Sequence, residues 1–354
     1  MQERNYGIDF LRIISMFMIV ILHILGNGGI LASVQTGSVK YHLTWFMEIA
    51  SYCAVNCYAL ISGYVGIYSK HKLSNIFYLW IQVIFYTLSI TLLFKIISPA
   101  SVTTTSWLDA FFPITHKQYW YFTAYFCMYF FTPYFNHILN TFSKKLSTRL
   151  CLTMFIFLSL LPTFAQNDIF QTSFGYSFLW LSVLYFAGGY IRKYFTPFPH
   201  GRHKFLLLYP LCIIITWIMQ YVIDAPTFKL SAFFQNGNPF LTYTSPTIVI
   251  SAISLFLFFS NMQIHTWLQK AIKCIAPLSF SVYLIHTQSF FWYAMTDHFI
   301  SYVSYSTFKL ILSIILTAII IYSLCSIIDL IRKFIFQLLH IQNFIKRIDK
   351  HFVL

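Results

Sequence analysis

Apolar segments of roughly 20 residues, the length that crosses a bilayer as a helix, recur along nearly the whole of this chain. Short polar breaks separate them. Only 9% of the 354 residues are charged, against about 25% in a typical soluble domain. Because so little charge cannot cover the surface of a water-soluble globule, the chain is predicted to be an integral membrane protein.

Ten such segments can be marked, and each is longer and more uniformly apolar than the alternating strands of a membrane β-barrel. We therefore predict an all-α polytopic fold with about ten transmembrane helices. The predicted spans are residues 8–25, 43–67, 73–97, 119–139, 146–163, 174–191, 205–223, 241–261, 275–295 and 308–331.

Basic residues alternate between the two sides of this ten-span arrangement. With the N-terminus in the cytoplasm, 17 Lys and Arg residues fall on the inner side, 5 fall on the outer side, and Arg12 lies within the first span. Cytoplasmic loops of membrane proteins carry an excess of Lys and Arg. The pattern predicts that both termini are cytoplasmic. It also accounts for the net charge of +14 without nucleic-acid binding.

The chain is predicted to hold one membrane domain and a short tail. We assign residues 1–333 to a transmembrane domain and residues 334–354 to a cytoplasmic amphipathic tail. No small-residue cleavage site follows the first apolar segment, so we expect that segment to stay in the mature chain. The seven cysteines contain no C-x-x-C pair, and no metal site is predicted.

The first span carries three polar residues, Asp9, Arg12 and His23. Arg12 and His23 are eleven residues apart, which places them on one face of a helix and about 16 Å apart along it. Asp9 lies one turn before Arg12. Ionisable groups inside a membrane are costly and mark functional sites. We expect this polar stripe to face a cavity. An ion pair of Asp9 with a snorkelling Arg12, or a His23 bonded to a backbone carbonyl, are the structural alternatives.

Other polar and aromatic residues are weaker candidates. His286 lies near the middle of the ninth span, where a structural role and a substrate-facing role are both open. Glu48 lies near the outer end of the second span and is interfacial by position, while Asp297 and Asp329 fall at span ends and are expected to be solvated. Tyr119, Trp120 and Tyr121 open the fourth span, where aromatic belts are common.

The residues of the first span, taken together with three further segments, resemble the acyltransferase family 3 proteins. These are bacterial membrane acyltransferases that often O-acetylate surface polysaccharides. The family pattern is an arginine, ten residues and a histidine in the first helix, matched here by Arg12 and His23, and its aspartate is matched by Asp9. Further matches are LISGYVG at residues 60–66, QYWYFTAYFCMYFFTPYFN at 118–136 and SFSVYLIHT at 279–287.

The resemblance implies a donor and an acceptor. Acyl-CoA, most often acetyl-CoA, would enter from the cytoplasm as a co-substrate, with no permanently bound cofactor. The acceptor would be a hydroxyl of a surface glycan or lipid-linked sugar, and the site would lie in the cytoplasmic (inner) membrane of a bacterium. Many relatives carry paired arginines after the second span, where this chain has Lys70, His71 and Lys72.

Roles for the residues follow from this resemblance. His23 would act as general base or accept the acyl group transiently, since a histidine suits proton removal near neutral pH. Arg12 would hold the CoA phosphates or orient the thioester, with Lys70 and Lys72 as further phosphate contacts, and Asp9 would fix Arg12. His286, Glu48 and the run of Tyr119, Trp120 and Tyr121 are the predicted acceptor contacts.

Two other classes of membrane protein stay open. A transporter or flippase of lipid-linked saccharide would also need about ten spans and buried polar groups, although it often shows broken helices or inverted repeats. A polysaccharide polymerase or glycosyltransferase would need larger outer loops or clustered acidic residues, which this sequence lacks. Turnover of acyl-CoA separates an acyltransferase from both.

Overall fold

The fold of this chain is built from helices joined by short loops. A computed structural model describes residues 4–195, 202–225, 227, 234, 237–347 and 349, which contain no strand. The α-helices are α1 (Tyr6–Leu25), α2 (Ile30–Ser33), α3 (Val39–Tyr52), α4 (Ala54–Gly66), α5 (Leu73–Ile97), α6 (Thr104–Phe111), α7 (Trp120–Thr141), α8 (Lys144–Phe155), α9 (Leu161–Ala165), α10 (Phe178–Tyr194), α11 (Arg202–Asp224), α12 (Pro246–Ser260), α13 (Thr266–Ile275), α14 (Ser279–His286), α15 (Ser289–Met295), α16 (Thr307–Leu338) and α17 (Ile341–Lys346). Lys229, Lys350 and the end of the predicted tail lie outside the described residues.

Seven helical runs within the described ranges are long and apolar enough to cross a bilayer. They are Tyr6–Ser33, Val39–Gly66, Leu73–Ile97, Lys144–Ala165, Lys204–Asp224, Thr266–His286 and Thr307–Leu338. The other predicted spans correspond to α7, α10 and α12, of which α12 is a shorter apolar helix. The all-α polytopic prediction is confirmed, and the count of ten stays a prediction. We call the end of the bundle where α1 begins the inner end, and the opposite end the outer end.

Two predicted spans are interrupted in the structure. The second span breaks at Cys53, between α3 and α4, and the ninth breaks at Thr287 and Gln288, between α14 and α15. Neither break contains Gly or Pro. The side chain of Gln288 accepts a hydrogen bond from the backbone N–H of Phe290 and caps α15. Asn56, just after the first break, donates to the carbonyl of Tyr243 and accepts from Trp180. Gln288 thus satisfies a backbone group at the start of α15, and Asn56 joins α4 to α10 and to the residues before α12.

The helices α4 and α10 approach closely through small residues. A Cβ at Gly63 would lie 1.8 Å from the carbonyl oxygen of Tyr185, and one at Gly188 would lie 2.1 Å from that of Leu60. Glycines let membrane helices pack backbone to backbone. The glycine of the segment LISGYVG at residues 60–66 is therefore a packing residue in this fold.

Asp329 is buried and ion-paired, so the expectation that it is solvated was wrong. Its side chain is 0% exposed, and Oδ1 lies 2.7 Å from Nε of Arg332, one turn further along α16. Tyr86 of α5 and Ser281 of α14 donate to the same oxygen at 2.6 and 2.5 Å. Its position at a span end suggested that Asp329 would contact solvent. Instead, α5 and α14 pack over this part of α16 and exclude solvent from it. Asp297, in contrast, is exposed as expected.

The division into a membrane domain and a tail stays a prediction. Because α16 continues to Leu338, the assigned boundary after residue 333 lies inside a helix, and the short helix α17 follows. Asp349 reaches back to the start of α5 and accepts hydrogen bonds from the backbone N–H and hydroxyl of Ser74. These two hydrogen bonds lower the pKa of Asp349. The tail thus caps α5 at the inner end of the bundle.

Removing one member of the buried ion pair on α16 should destabilise the protein strongly. We expect Asp329→Ala to lower the free energy of unfolding by about 3–5 kcal/mol, because it leaves Arg332 buried without its partner. The double variant Asp329→Leu with Arg332→Met should recover most of that loss. Thermal unfolding of detergent-purified protein measures both, with Lys145→Ala at an exposed site on α8 as the control. A double variant as unstable as Asp329→Ala would contradict this account.

Candidate functional site

Asp9 and Arg12 form an ion pair at the inner end of α1. Nη1 of Arg12 lies 2.9 Å from Oδ1 of Asp9, and Nε of Arg4 lies 2.5 Å from Oδ2. Asp9 is buried and sits in the first turn of α1, where the helix dipole favours a negative charge. Asn5 caps this helix and donates to the carbonyl of Ser260, which ties α1 to the end of α12. Asp9 is therefore a fixed anchor for the arginine.

The Arg12 guanidinium keeps donors free for a ligand. Among the described residues, Asp9 is its one hydrogen-bond partner, and its side chain is 29% exposed. The hydroxyl of Tyr58 donates to the Arg12 carbonyl at 2.8 Å, so α4 is attached to α1 at this level. A guanidinium with unused N–H groups in this position can bind an anion or a carbonyl oxygen.

His23 contacts His286, although the two residues are 263 positions apart in the chain. Nδ1 of His23 lies 2.8 Å from Nε2 of His286. Nδ1 of His286 lies 2.5 Å from the carbonyl oxygen of Val282. The ring of Trp292 packs edge-on against His23, with ring centroids 4.9 Å apart. The first and ninth predicted spans therefore meet at a pair of imidazoles.

The hydrogen bonds of this pair define its proton positions when both rings are neutral. A carbonyl oxygen only accepts, so Nδ1 of His286 carries a hydrogen and Nε2 of His286 is an acceptor. Nδ1 of His23 must then donate to it. The remaining nitrogen of His23, Nε2, keeps its lone pair and can take a proton. His286 thus orients His23 in the way that a third group orients the base in hydrolase triads.

A cavity of about 50 Å³ lies beside His23 and has mainly aromatic walls. One wall is α1, which contributes Met16, Ile19, Leu22 and His23. The opposite walls contribute Val55, Tyr58, Trp120, Tyr121, Tyr243, Phe280 and Tyr283. His286 is not among these residues, and it is connected to the cavity through its hydrogen bond with His23. An apolar cavity with one convergent base can keep the reacting atoms of an organic substrate apart from bulk water.

The predicted site residues separate into two groups. His23, Trp120 and Tyr121 line the cavity, with His286 joined to His23 and Asp9 joined to Arg12 on the same helix. Tyr119 is packed inside the bundle, where its hydroxyl donates to the carbonyl of Leu284 at 2.8 Å. Lys70 and Lys72 are exposed on the loop before α5, and no contact described by the structure joins them to Arg12. In the part of the chain described here, no cluster of His, Cys, Asp or Glu fits a metal ion.

Glu48 is buried rather than interfacial. The residue is 8% exposed, and its Oε2 atom has no hydrogen-bond partner among the described residues. It lies four residues before Tyr52 on α3, and Tyr52 packs on Tyr243, which lines the cavity. Its position near a span end suggested the interface, but the packing of neighbouring elements covers it.

Several residues around the cavity carried no signal in the sequence. Tyr58, Tyr243 and Trp292 belong to a chain with 25 tyrosines and 8 tryptophans, so residue type alone does not mark them. Tyr283 lies within SFSVYLIHT, and that segment is the one sequence feature that could have pointed to it. The meeting of α7, α14 and the residues before α12 at one cavity is a tertiary property.

Comparison with protein-family models identifies one family over nearly the whole chain. The acyltransferase family 3 model, described as an acyltransferase domain, matches residues 5–328. That range includes Asp9, Arg12, His23 and His286, and every element that lines the cavity. No curated protein and no solved structure matches this chain. The chain therefore belongs to acyltransferase family 3 and is a multi-pass membrane acyltransferase.

Proposed function

We propose that this protein transfers an acyl group, acetyl in the first instance, from acyl-CoA to a hydroxyl of a surface glycan or lipid-linked sugar. The observation that carries the proposal is the hydrogen bond between His23 and His286 beside an aromatic cavity. It supports a His23 that is protonated on Nδ1 and basic on Nε2. A base of this kind is what the attack of a sugar hydroxyl on a thioester requires.

The reaction can be written with His23 as the one proton carrier. Nε2 of His23 takes the proton of the sugar hydroxyl while the oxygen attacks the thioester carbonyl carbon. The tetrahedral intermediate then collapses, the carbon–sulfur bond breaks, and Nε2 returns the proton to the CoA sulfur. The products are the sugar ester and free CoA. The hydrogen bond from Nδ1 to His286 keeps the ring in place through both transfers.

Arg12 is the residue that we propose to hold the donor. It lies eleven residues before His23, which corresponds to about 16 Å along α1. That separation is comparable to an extended pantetheine arm. CoA phosphates held at the inner end by Arg12, with Lys70 and Lys72 on an exposed loop at the same end of the bundle, would place the thioester next to His23. The donor would then come from the cytoplasm of a bacterial cell, and the acceptor from the outer side of its cytoplasmic membrane.

A flippase for lipid-linked saccharide is the second candidate function. The helix breaks at Cys53 and at Thr287 favour it, because discontinuous helices are frequent at transport sites. Protein reconstituted in vesicles separates the two candidates. Acyl-CoA consumption coupled to sugar ester formation supports the acyltransferase, and saccharide movement without acyl-CoA supports the flippase.

Loss of the base should abolish transfer while leaving the fold intact. We expect His23→Ala to lower the transfer rate by about 10²-fold or more, since that is the usual contribution of general acid–base catalysis. Mass spectrometry of surface glycan from a deletion strain carrying each variant measures the acyl increment. Elution of the purified variant as wild type confirms folding. Normal acylation by a folded His23→Ala protein would remove His23 from the mechanism.

His286 should act by positioning His23. We expect His286→Leu to lower the transfer rate by at least about tenfold, because Nδ1 of His23 loses its acceptor. His286→Gln offers an amide oxygen to the same hydrogen and should retain more activity. Equal activities for the Leu and Gln variants, with equal thermal stability, would contradict the positioning role.

Replacing Arg12 by lysine should weaken donor use selectively. Lysine keeps the charge and loses the fork of N–H groups, so we expect Arg12→Lys to raise the apparent KM for acetyl-CoA by at least about tenfold. The acceptor concentration that half-saturates the enzyme should change little. Lys117→Ala, on the predicted outer side, is the matched control. An unchanged KM for acetyl-CoA in Arg12→Lys would count against phosphate binding at Arg12.

A further inference from the structure

The outer part of the cavity is closed by a cluster of four aromatic rings, those of Tyr52, Trp120, Tyr176 and Tyr243. Trp120 and Tyr243 line the cavity and are stacked, with ring centroids 6.0 Å apart. Tyr176 packs on both, at 4.5 and 4.9 Å, and Tyr52 packs on Tyr243 at 4.9 Å. Tyr176 is 47% exposed, so the cluster extends from the cavity to the outer surface.

The loop before α10 holds Tyr176 in this position at a conformational cost. Ser173 and Phe174 adopt φ values of 52° and 50°, and Gly175 follows at 103°. The Asp168 carboxylate accepts hydrogen bonds from the backbone N–H groups of Thr172 and Ser173, at 2.8 and 2.6 Å. Consecutive residues in the left-handed region persist only where surrounding contacts enforce them, and such strain clusters at ligand sites.

Glu48 adds an unpaired carboxyl group next to the same rings. It is 92% buried, one of its oxygens has no partner within the described residues, and it lies four residues before Tyr52 on the same face of α3. No described Lys or Arg forms an ion pair with Glu48 or a cation–π contact with the four rings. Burial of a polar group without a partner is unfavourable, and a ligand that supplies hydroxyl groups would relieve it.

We propose that Glu48 and the rings of Trp120, Tyr176 and Tyr243 form the acceptor subsite, and that it binds a neutral pyranose ring. The inference rests on the proposed function, which requires a sugar hydroxyl beside His23. The aromatic faces pack against the apolar C–H face of the sugar, and the Glu48 carboxyl group hydrogen-bonds its hydroxyls. An acidic sugar is disfavoured, because its carboxylate would find no described cation here and would lie near a second carboxyl group.

Tyr176 is the residue whose role is most easily separated from folding. It is half-exposed and belongs to a loop, so its truncation leaves the helix packing intact. Tyr293 is 74% exposed on α15, on the same side of the bundle, and lies outside the cavity lining. Tyr293→Ala is therefore the matched control for Tyr176→Ala. For Glu48, the pair Glu48→Gln and Glu48→Leu separates hydrogen bonding from packing.

The test compares acceptor-dependent and donor-dependent readouts of the full-length protein. Surface glycan acylation is measured by mass spectrometry in a deletion strain carrying each variant, and binding of radiolabelled acetyl-CoA is measured on the purified variant. We expect Tyr176→Ala and Glu48→Leu to lower acylation by at least about tenfold, as for loss of one strong hydrogen bond or stacking contact. Tyr293→Ala should stay within about twofold of wild type, Tyr176→Phe and Glu48→Gln should retain more acylation than Tyr176→Ala and Glu48→Leu, and acetyl-CoA affinity should be unchanged in all.

Each other outcome has a defined meaning. Wild-type acylation by both Tyr176→Ala and Glu48→Leu would overturn the acceptor subsite and leave the proposed function standing. Loss of acetyl-CoA binding in these variants would show a structural role and also overturn it. An acyl group mapped to an acidic sugar would overturn the preference for a neutral ring. Wild-type protein that neither binds acetyl-CoA nor changes the glycan would overturn the proposed function itself.

Discussion

Polar groups inside a membrane protein must find partners within the protein, and this requirement organises the bundle. The hydrocarbon core offers no water, so each buried N–H, hydroxyl or charge is paired by another helix or remains costly. The pair of His23 with His286 joins α1 to α14, and Tyr58 with the Arg12 carbonyl joins α4 to α1. The polar contacts that hold the helices together are thus also the contacts that build the site.

The helix α14 shows how one element serves both purposes. Near its start, Ser281 donates to Asp329 and accepts from Gln82, so the helix is attached to α16 and α5. At its end, His286 accepts the hydrogen bond from His23, and the helix ends immediately afterwards. Because α14 is held at its start by buried polar groups, His286 is presented to α1 in one position. A base whose partner is fixed in this way loses little ring freedom during proton transfer.

The two ends of α1 on either side of the cavity differ chemically. At the inner end, the Arg12 guanidinium has unused donors, which suits an anionic ligand. At the outer end, aromatic rings and an unpaired carboxyl group replace the cation, which suits a sugar. His23 lies between the two ends. A reaction that joins a cytosolic cofactor to an external glycan needs this order along the membrane normal.

The sequence analysis succeeded where local periodicity was sufficient. The apolar segments identified the helices, and the eleven-residue spacing of Arg12 and His23 placed both on one face of α1. It failed for Asp329 and Glu48, which were assigned to solvent and to the interface because they lie near span ends. Both are buried by other helices, and the distance of a residue from a span end contains no information on those neighbours. The break after His286 was missed for the same reason, since neither Gly nor Pro marks it.

By itself, the sequence determined that this chain is an all-α membrane protein and that its first helix carries a polar stripe. Both properties follow from composition and from the 3.6-residue period of a helix, which are local quantities. Only the tertiary structure decided that His23 meets His286, and that Tyr58, Trp120 and Tyr243 enclose the space beside them. These residues are far apart in the chain, and they meet because helix packing buries polar groups against one another, which no single segment specifies.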